Sequence, residues 1–265
     1  SNFMPKVFDY NKYDNSDKTN IAKIHKAITI IQFKIEGQMI KKHPEYHLDN
    51  RLLMDKMDIE KGTVKIDGKD YEINDKNFPT IYKDDPYKLT PEEKEVIERL
   101  AESFIHSDSL NKHLNYLYTK GEMYTIFNNN LLFHGCMPTD EKGELKEVNF
   151  LGKRLKGKEY FDEINETINK VFVTKDPELV DLMWFLWISP DSPFFGKEKM
   201  ATFESYFVKD KKMTKEPKSP YYKYCKDEKF CEKVLKEFGL EGDDAHILNG
   251  HVPVRAKDGE SPIKA

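Results

Sequence analysis

Two short apolar segments, each ending at a glycine and a histidine, constrain the fold of this 265-residue chain more than any other feature. LLFHG occupies residues 131–135 and ILNGH occupies residues 247–251. A buried strand cannot carry a charged imidazolium cheaply, so each histidine is expected just beyond its strand. Ligands gather at strand ends in α/β folds, and neutral imidazole is the commonest metal ligand. The pattern is therefore consistent with His134 and His251 as metal ligands on two strands of one sheet, and it fits loop histidines bonded to carbonyls equally well.

The rest of the chain alternates between helical and strand periods, which indicates a mixed α/β (α+β) fold. Apolar residues three and four apart predict a helix over 20–42 that is stopped by Pro44. Thr90 and Glu93 have the spacing of a capping box at the start of a second helix. Asp67-Gly68 is a hairpin signal between two short strands. Further helices are predicted over 158–173, from Asp176 onward and over 228–238, and further strands over 123–127 and 131–133. Asn128-Asn129-Asn130 tolerates a left-handed turn between these two strands. The apolar cluster Trp184-Phe185-Leu186-Trp187 is expected to be core rather than a platform for a sugar.

Composition excludes several function classes. The formal net charge is −4, and a mildly acidic chain is a poor general binder of nucleic acid, because phosphate contacts need a basic face. No apolar run approaches the ~18–20 residues that span a bilayer, so no membrane partner is expected. The three cysteines form no CxxC pair, which favours reduced thiols and a cytoplasmic location.

Five longer stretches carry a family resemblance. They are IHKAITIIQFKIEGQMIKKHPEYH (24–47), LLFHGCMP (131–138), LMWFLWISPDSPFFGKEKMATFESYF (182–207), SPYYKYCKDEKFCEKVLKEFGL (219–240) and ILNGHVPVRAKDGESPIKA (247–265). Together they resemble class 3 bacterial fructose-1,6-bisphosphatase, which belongs to the calcineurin-like metallophosphoesterases. The resemblance implies a four-layer α/β/β/α sandwich with metals at strand ends. Residues 121–265 would form the C-terminal part of this core with further helices, and residues 1–120 a largely helical insertion.

The metal motifs of that superfamily are represented only in part. The family order is D-x-H, G-D-x-x-D, G-N-H-[D/E], a lone histidine and G-H. His134 matches the lone histidine, Gly250-His251 matches the last element, and Pro253 stands where some relatives place another ligand. Asp244-Ala245-His246 has the D-x-H spacing, but it directly precedes the final element and is read as coincidence. We therefore expect the chain to be the later part of a larger enzyme, with the catalytic residues outside it.

The resemblance also implies a reaction. Two metal ions, expected to be Mn²⁺, would clamp the phosphate and activate a hydroxide that removes the 1-phosphate of fructose 1,6-bisphosphate. The products are fructose 6-phosphate and phosphate, a step of gluconeogenesis. Two histidines are too few to hold an ion firmly, so the chain alone is expected to be inactive and not to bind Mn²⁺ tightly. The expected partner is a small sugar bisphosphate, and a homo-oligomer is left open.

Three further residues near these motifs have competing interpretations. Arg255 and Lys264 follow the G-H turn and could contact substrate phosphates, but solvated surface cations are the more common reading of such residues. Cys136 lies two residues after His134 and could be a third, soft ligand, although a small buried filler is favoured.

Two other functions compete with the sugar bisphosphatase. One is a hydrolase that resembles protein phosphatases, because G-H-x-P occurs there too; the long helical segment argues against it. The other is a non-catalytic helical interaction module, in which the stripe from Ile21 to Met39 is a docking face. Two strand-end histidines have no reason to exist in such a module, and this difference discriminates the two classes.

Overall fold

The computed structural model describes residues 14–263, and their mixture of helices and small sheets confirms the predicted α/β class. The helices are α1 Asn15–Lys42, α2 Pro91–Ile105, α3 Asp108–Lys120, α4 Gly157–Thr174, α5 Pro177–Ile188, α6 Thr202–Phe207, α7 Tyr221–Tyr224 and α8 Glu228–Glu237. The strands are β1 Met57–Asp58, β2 Thr63–Ile66, β3 Lys69–Glu72, β4 Tyr124–Phe127, β5 Asn130–Phe133, β6 Val148–Phe150, β7 Lys153–Leu155 and β8 His246–Asn249. None of the described helices is long and apolar enough to cross a membrane.

The chain divides into two compact units. One comprises residues 1–107 and 201–215, and the other comprises residues 108–200 and 216–265. The assignment of residues 1–120 to an inserted segment stays a prediction.

The first unit is built on α1 and the antiparallel sheet β1-β2-β3. The β2–β3 turn is made by Asp67 and Gly68, both with positive φ (50° and 78°), as the hairpin signal predicted. Thr90 caps α2 in a complete capping box with Glu93. The Glu93 carboxylate also accepts a hydrogen bond from the fully buried Lys34 ammonium (2.7 Å). This buried ion pair links α1 to the start of α2.

The apolar stripe predicted for α1 over 21–39 is only partly correct. Ile31 is buried, but Ile24 is 69% exposed, and the residues that pack into the core include Ile30 and Phe33. Phe33 lies against Phe203 and Phe207 of α6, with ring centroids 5.4 and 6.2 Å apart. The buried face is therefore set by a helix far along the chain, which the local periodicity of α1 could not reveal.

The second unit contains the sheet β4-β5-β8, in which β4 and β5 are antiparallel and β5 and β8 are parallel. Asn128 and Asn129 form the β4–β5 turn in the left-handed conformation, as predicted. A separate hairpin, β6-β7, precedes α4. The apolar cluster 184–187 of α5 was predicted to be core; Phe185 and Leu186 are buried, but Trp187 is 63% exposed.

Candidate metal centre

The parallel pairing of β5 and β8 brings the two strand-end histidines to the same edge of one sheet. The strands run in register, with Asn130 opposite His246 and Phe133 opposite Asn249. The next residue of each strand, His134 or Gly250, therefore lies at a carboxyl end, where ligand sites of α/β sheets are built. The fold places these motifs side by side although 117 residues separate the two histidines.

The backbone fixes the approach of the two histidines. The carbonyl of His134 accepts hydrogen bonds from the amides of both Gly250 (3.0 Å) and His251 (2.8 Å). Because both amides converge on one oxygen, the chain turns sharply at the end of β8. This turn carries the His251 ring towards that of His134.

The two rings lie edge to face, with centroids 5.1 Å apart and planes at 86°. Nε2 of His134 is 3.1 Å from Nδ1 of His251, so one N–H···N hydrogen bond can join two neutral rings. Two nitrogens bound at ~2.1 Å to one ion, at ~90–110° to each other, are separated by ~3.0–3.4 Å. The observed separation therefore fits two ligands of a single metal ion.

The surroundings of His251 favour the neutral form that binds metals. Partial burial, followed by the neighbouring His134 and Lys197, lowers the pKa of His251 below its usual value. A hydrogen bond with the backbone carbonyl of Phe195 acts in the opposite direction. Metal-binding histidines usually direct their second ring nitrogen to such a group, which fixes the ring orientation.

Gly135, directly after His134, is required for packing. A Cβ at this position would lie 2.0 Å from the carbonyl oxygen of Pro193, which also accepts a hydrogen bond from the amide of Cys136 (2.9 Å). A Cβ at Gly250 would have no neighbour nearer than 3.9 Å. The two glycines look equivalent in the sequence, but only Gly135 is held against another part of the backbone.

Two tyrosines of α7 support the histidine turns, and the sequence alone did not identify them. The hydroxyl of Tyr221 donates to the side-chain oxygen of Asn249 (2.5 Å). The side-chain NH₂ of Asn249 in turn donates to the backbone carbonyl of Phe133 (3.3 Å). The hydroxyl of Tyr222 donates to the carbonyl of Gly135 (3.4 Å). The only signal was the SPYYKY stretch, which had no recognisable function of its own.

The other residues considered from the sequence lie elsewhere. Arg255 is exposed, and its backbone amide donates to Glu260 (2.9 Å), while Lys264 lies outside the described residues. His246 begins β8, at the opposite end of the strand from His251. Cys136 is buried, with its sulfur 3.8 Å from the carbonyl of Ser192, and burial raises the pKa of its thiol to about 11. The burial of this sulfur against a backbone carbonyl supports the small buried filler that the sequence favoured for Cys136.

The histidine pair supplies two metal donors. Among residues 14–263, no group of three or more histidine, cysteine, aspartate or glutamate side chains is arranged to hold an ion. Protein metal sites usually take three or four such ligands. The histidine pair therefore supplies about half of the ligands that such a site needs.

Comparisons with known proteins show which family the chain belongs to. A sequence profile described as Firmicute fructose-1,6-bisphosphatase matches residues 1–265. Curated proteins named fructose-1,6-bisphosphatase class 3 from Clostridium botulinum (strain Kyoto / Type A2) and Clostridium acetobutylicum are each 48% identical over 269 residues. Each alignment covers 100% of this chain but 40% of the relative, so the chain spans well under half of their length. No solved structure matches the chain.

Proposed function

Because this chain belongs to the Firmicute fructose-1,6-bisphosphatase family, we propose that it is one part of a metal-dependent hydrolase of the class 3 type. The reaction would release the 1-phosphate of fructose 1,6-bisphosphate and leave fructose 6-phosphate, in the cytoplasmic pathway of gluconeogenesis. The observation that carries the proposal is the 3.1 Å approach of His134 and His251 at the carboxyl ends of two parallel strands.

The role of this chain is to present two imidazoles in fixed positions to one metal ion. Nε2 of His134 and Nδ1 of His251 would be the donors, and the turn at Gly250 holds them in place. When bound, a divalent ion, for which we propose Mn²⁺, supplies Lewis-acid activation of a phosphate oxygen and of water. The carboxylate ligands and the acid–base residues would come from the part of the longer relatives that this chain does not cover.

Arg255 is proposed as a substrate contact. It follows His251 by four residues and is exposed, so its guanidinium is free to reach an anionic group in the manner typical of arginine–phosphate pairs. Lys264 is proposed as a second substrate contact, only because it also follows the G-H turn in the sequence.

The alternative of a non-catalytic helical module does not account for the histidine pair. The predicted docking stripe of α1 is also broken, because Ile31 is buried in the core while Ile24 is exposed. A metal-binding role gives a function to the histidine pair at the carboxyl ends of β5 and β8, which a helical module does not.

The test is a metal titration of the full-length polypeptide that contains this chain, with His134→Ala, His251→Ala and His246→Ala. Each of the first two variants should lose one metal equivalent and reduce phosphate release from fructose 1,6-bisphosphate by at least ~10²-fold. The His246→Ala control removes a histidine from the other end of β8 and should behave as wild type. Unchanged metal stoichiometry in both His134→Ala and His251→Ala would refute the proposal.

A further inference from the structure

A short loop segment after α5 contacts both histidine turns of the candidate metal centre. We propose that this segment, residues 193–196, positions the histidine pair: it holds His251 in the Nε2–H tautomer and so leaves Nδ1 of that ring bare for a metal ion. Gly196 is the positioning residue on which this arrangement most depends. The consequence for metal binding rests on the proposed function, whereas the tautomer itself does not.

The first end of the segment lies against the turn that follows His134. The carbonyl of Pro193 accepts a hydrogen bond from the amide of Cys136 (2.9 Å). The same carbonyl oxygen leaves no room for a Cβ on Gly135. The segment is therefore held directly against the backbone that carries His134.

The other end of the segment lies against the ring of His251. The backbone carbonyl of Phe195 forms a hydrogen bond with this ring. A Cβ on Gly196 would lie 3.3 Å from Cδ2 of His251 and 2.9 Å from the hydroxyl oxygen of Tyr222. The backbone of Gly196 therefore fills the space between the two rings. Because Cδ2 is bonded to Nε2, the His251 ring presents its Nε2 side to the segment.

The Phe195 carbonyl determines where His251 carries its proton, because a carbonyl oxygen can only accept a hydrogen bond. Nδ1 of His251 faces Nε2 of His134 at 3.1 Å, so the nitrogen directed at the carbonyl is Nε2. A neutral His251 ring then has its proton on Nε2 and a lone pair on Nδ1. The proton between the two rings consequently belongs to Nε2 of His134. His251 is already in the form that binds a metal through Nδ1, whereas His134 must first exchange its proton from Nε2 to Nδ1.

The segment has hydrogen-bond partners of its own, so it does not depend on the histidine for its position. The amide of Phe195 donates to the carbonyl of Ser192 (3.3 Å). The carbonyl of Gly196 accepts from the amide of Ser219 (3.0 Å). Phe195 and Gly196 are both buried. Moving a buried, hydrogen-bonded backbone costs more than rotating an imidazole, so the segment sets the orientation of the ring.

Two glycines with the same backbone conformation provide a matched pair of substitutions. Gly196 (φ 65°) and Gly152 (φ 76°) are both left-handed, so alanine is strained at either position. A Cβ on Gly152, however, would have no neighbour within 4 Å among the described residues. Isothermal titration calorimetry of the full-length polypeptide with Mn²⁺ should show about 10-fold weaker binding for Gly196→Ala and unchanged binding for Gly152→Ala. Equal affinities in the two variants would overturn the role of Gly196.

The tautomer is measured without metal, from the nitrogen chemical shifts of the imidazole rings in this chain. At about pH 8, above the ordinary pKa of histidine, His251 should carry its proton on Nε2, and Gly196→Ala should give a mixture of the two tautomers. The His251 signals are those lost in His251→Ala. A proton on Nδ1 of His251 in the wild-type chain would overturn the inference, even if Gly196→Ala does not fold.

A failure of the proposed function would have a different signature. The wild-type full-length polypeptide would then bind no Mn²⁺, while the wild-type spectrum would still show the Nε2–H tautomer of His251 and Gly196→Ala would still disturb it. That result would refute the metal centre and support the positioning of the ring by residues 193–196.

Discussion

At the scale of single residues, the two histidines show how much a local pattern can predict. The sequence placed His134 and His251 just beyond two apolar strands, and the structure brings them to 3.1 Å from each other. Their role as metal ligands stays a proposal. The same reasoning treated the adjacent glycines as equivalent, whereas only Gly135 is pressed against Pro193. That contact joins segments 58 positions apart, so no pattern within either segment could have disclosed it.

The difference between the two glycines gives a direct prediction. Gly135→Ala should destabilise the fold by roughly 2–3 kcal/mol, because its Cβ would overlap a backbone oxygen that cannot move as a side chain can. Gly250→Ala should cost less than about 0.5 kcal/mol, since the Cβ would make only ordinary contacts. Urea denaturation of both variants measures the difference. Equal destabilisation by the two variants would contradict the close approach of Gly135 to the Pro193 carbonyl.

Glu198 gives a pH-dependent prediction. Partial burial, followed by a hydrogen bond and repulsion from Glu141, raises the pKa of the Glu198 carboxyl above its usual value. The folded state therefore binds this proton more tightly than the unfolded state does, and the free energy of unfolding decreases as pH rises above about 4.5. Glu198→Gln should remove this decrease and give a slightly higher melting temperature at pH 7 but not at pH 4. The effect should be small, because the Glu198 side chain is only slightly buried and water screens it.

Glu144→Gln is the control for this pH series. Glu144 pairs with Lys233 at 2.7 Å, so neutralising it removes an attractive contact and should not stabilise the protein at pH 7. If the melting temperature of Glu198→Gln is below that of the wild-type protein at pH 7, the proposed repulsion from Glu141 is contradicted.

At the scale of helices and strands, the sequence predicted what is determined locally. The capping box at Thr90, the left-handed Asn128-Asn129 turn and the strand over 246–249 are all present. The prediction failed where distant segments decide the result: the buried face of α1 depends on α6, and the α5 cluster is partly exposed. The hydrogen bond by which α7 supports β8 could not be predicted for the same reason, because Tyr221 and Asn249 are brought together only by folding.

The Tyr221–Asn249 hydrogen bond can be tested with a matched pair of tyrosines. Tyr221→Phe removes the donor to Asn249, and Tyr224→Phe removes a donor to the carbonyl of Glu141 (2.7 Å) in the same helix. Each should cost about 1 kcal/mol of unfolding free energy. Only Tyr221→Phe should also weaken metal binding in the full-length polypeptide, by about 10-fold, because Asn249 leads directly into the Gly250 turn. Equal metal affinities in the two variants would remove Tyr221 from the support of the site.

At the scale of the whole molecule, the proposed division of labour is between this chain and the rest of its longer relatives. This chain provides a preformed sheet edge with two imidazoles, and the remainder provides the other ligands. The sequence could suggest that division because two of the five family motifs are present. It could not show that β5 and β8 pair in parallel and in register, because that pairing joins segments more than a hundred positions apart.

One prediction belongs to this scale. The 265-residue chain by itself should release no measurable phosphate from fructose 1,6-bisphosphate and should bind Mn²⁺ at least ~10²-fold more weakly than the full-length polypeptide, because two imidazoles cannot saturate the ion. A phosphate-release assay with Mn²⁺ measures the first quantity, and isothermal titration calorimetry of each protein with Mn²⁺ measures the second. Robust hydrolysis by the isolated chain would show that its own residues complete the site.

The central claim is that His134 and His251 bind one ion together. Anomalous diffraction at the manganese edge, from crystals of the full-length polypeptide grown with Mn²⁺, tests it most directly. The account predicts a peak within about 2.3 Å of both Nε2 of His134 and Nδ1 of His251. A peak bound to only one of these nitrogens, or manganese located away from both, would contradict it.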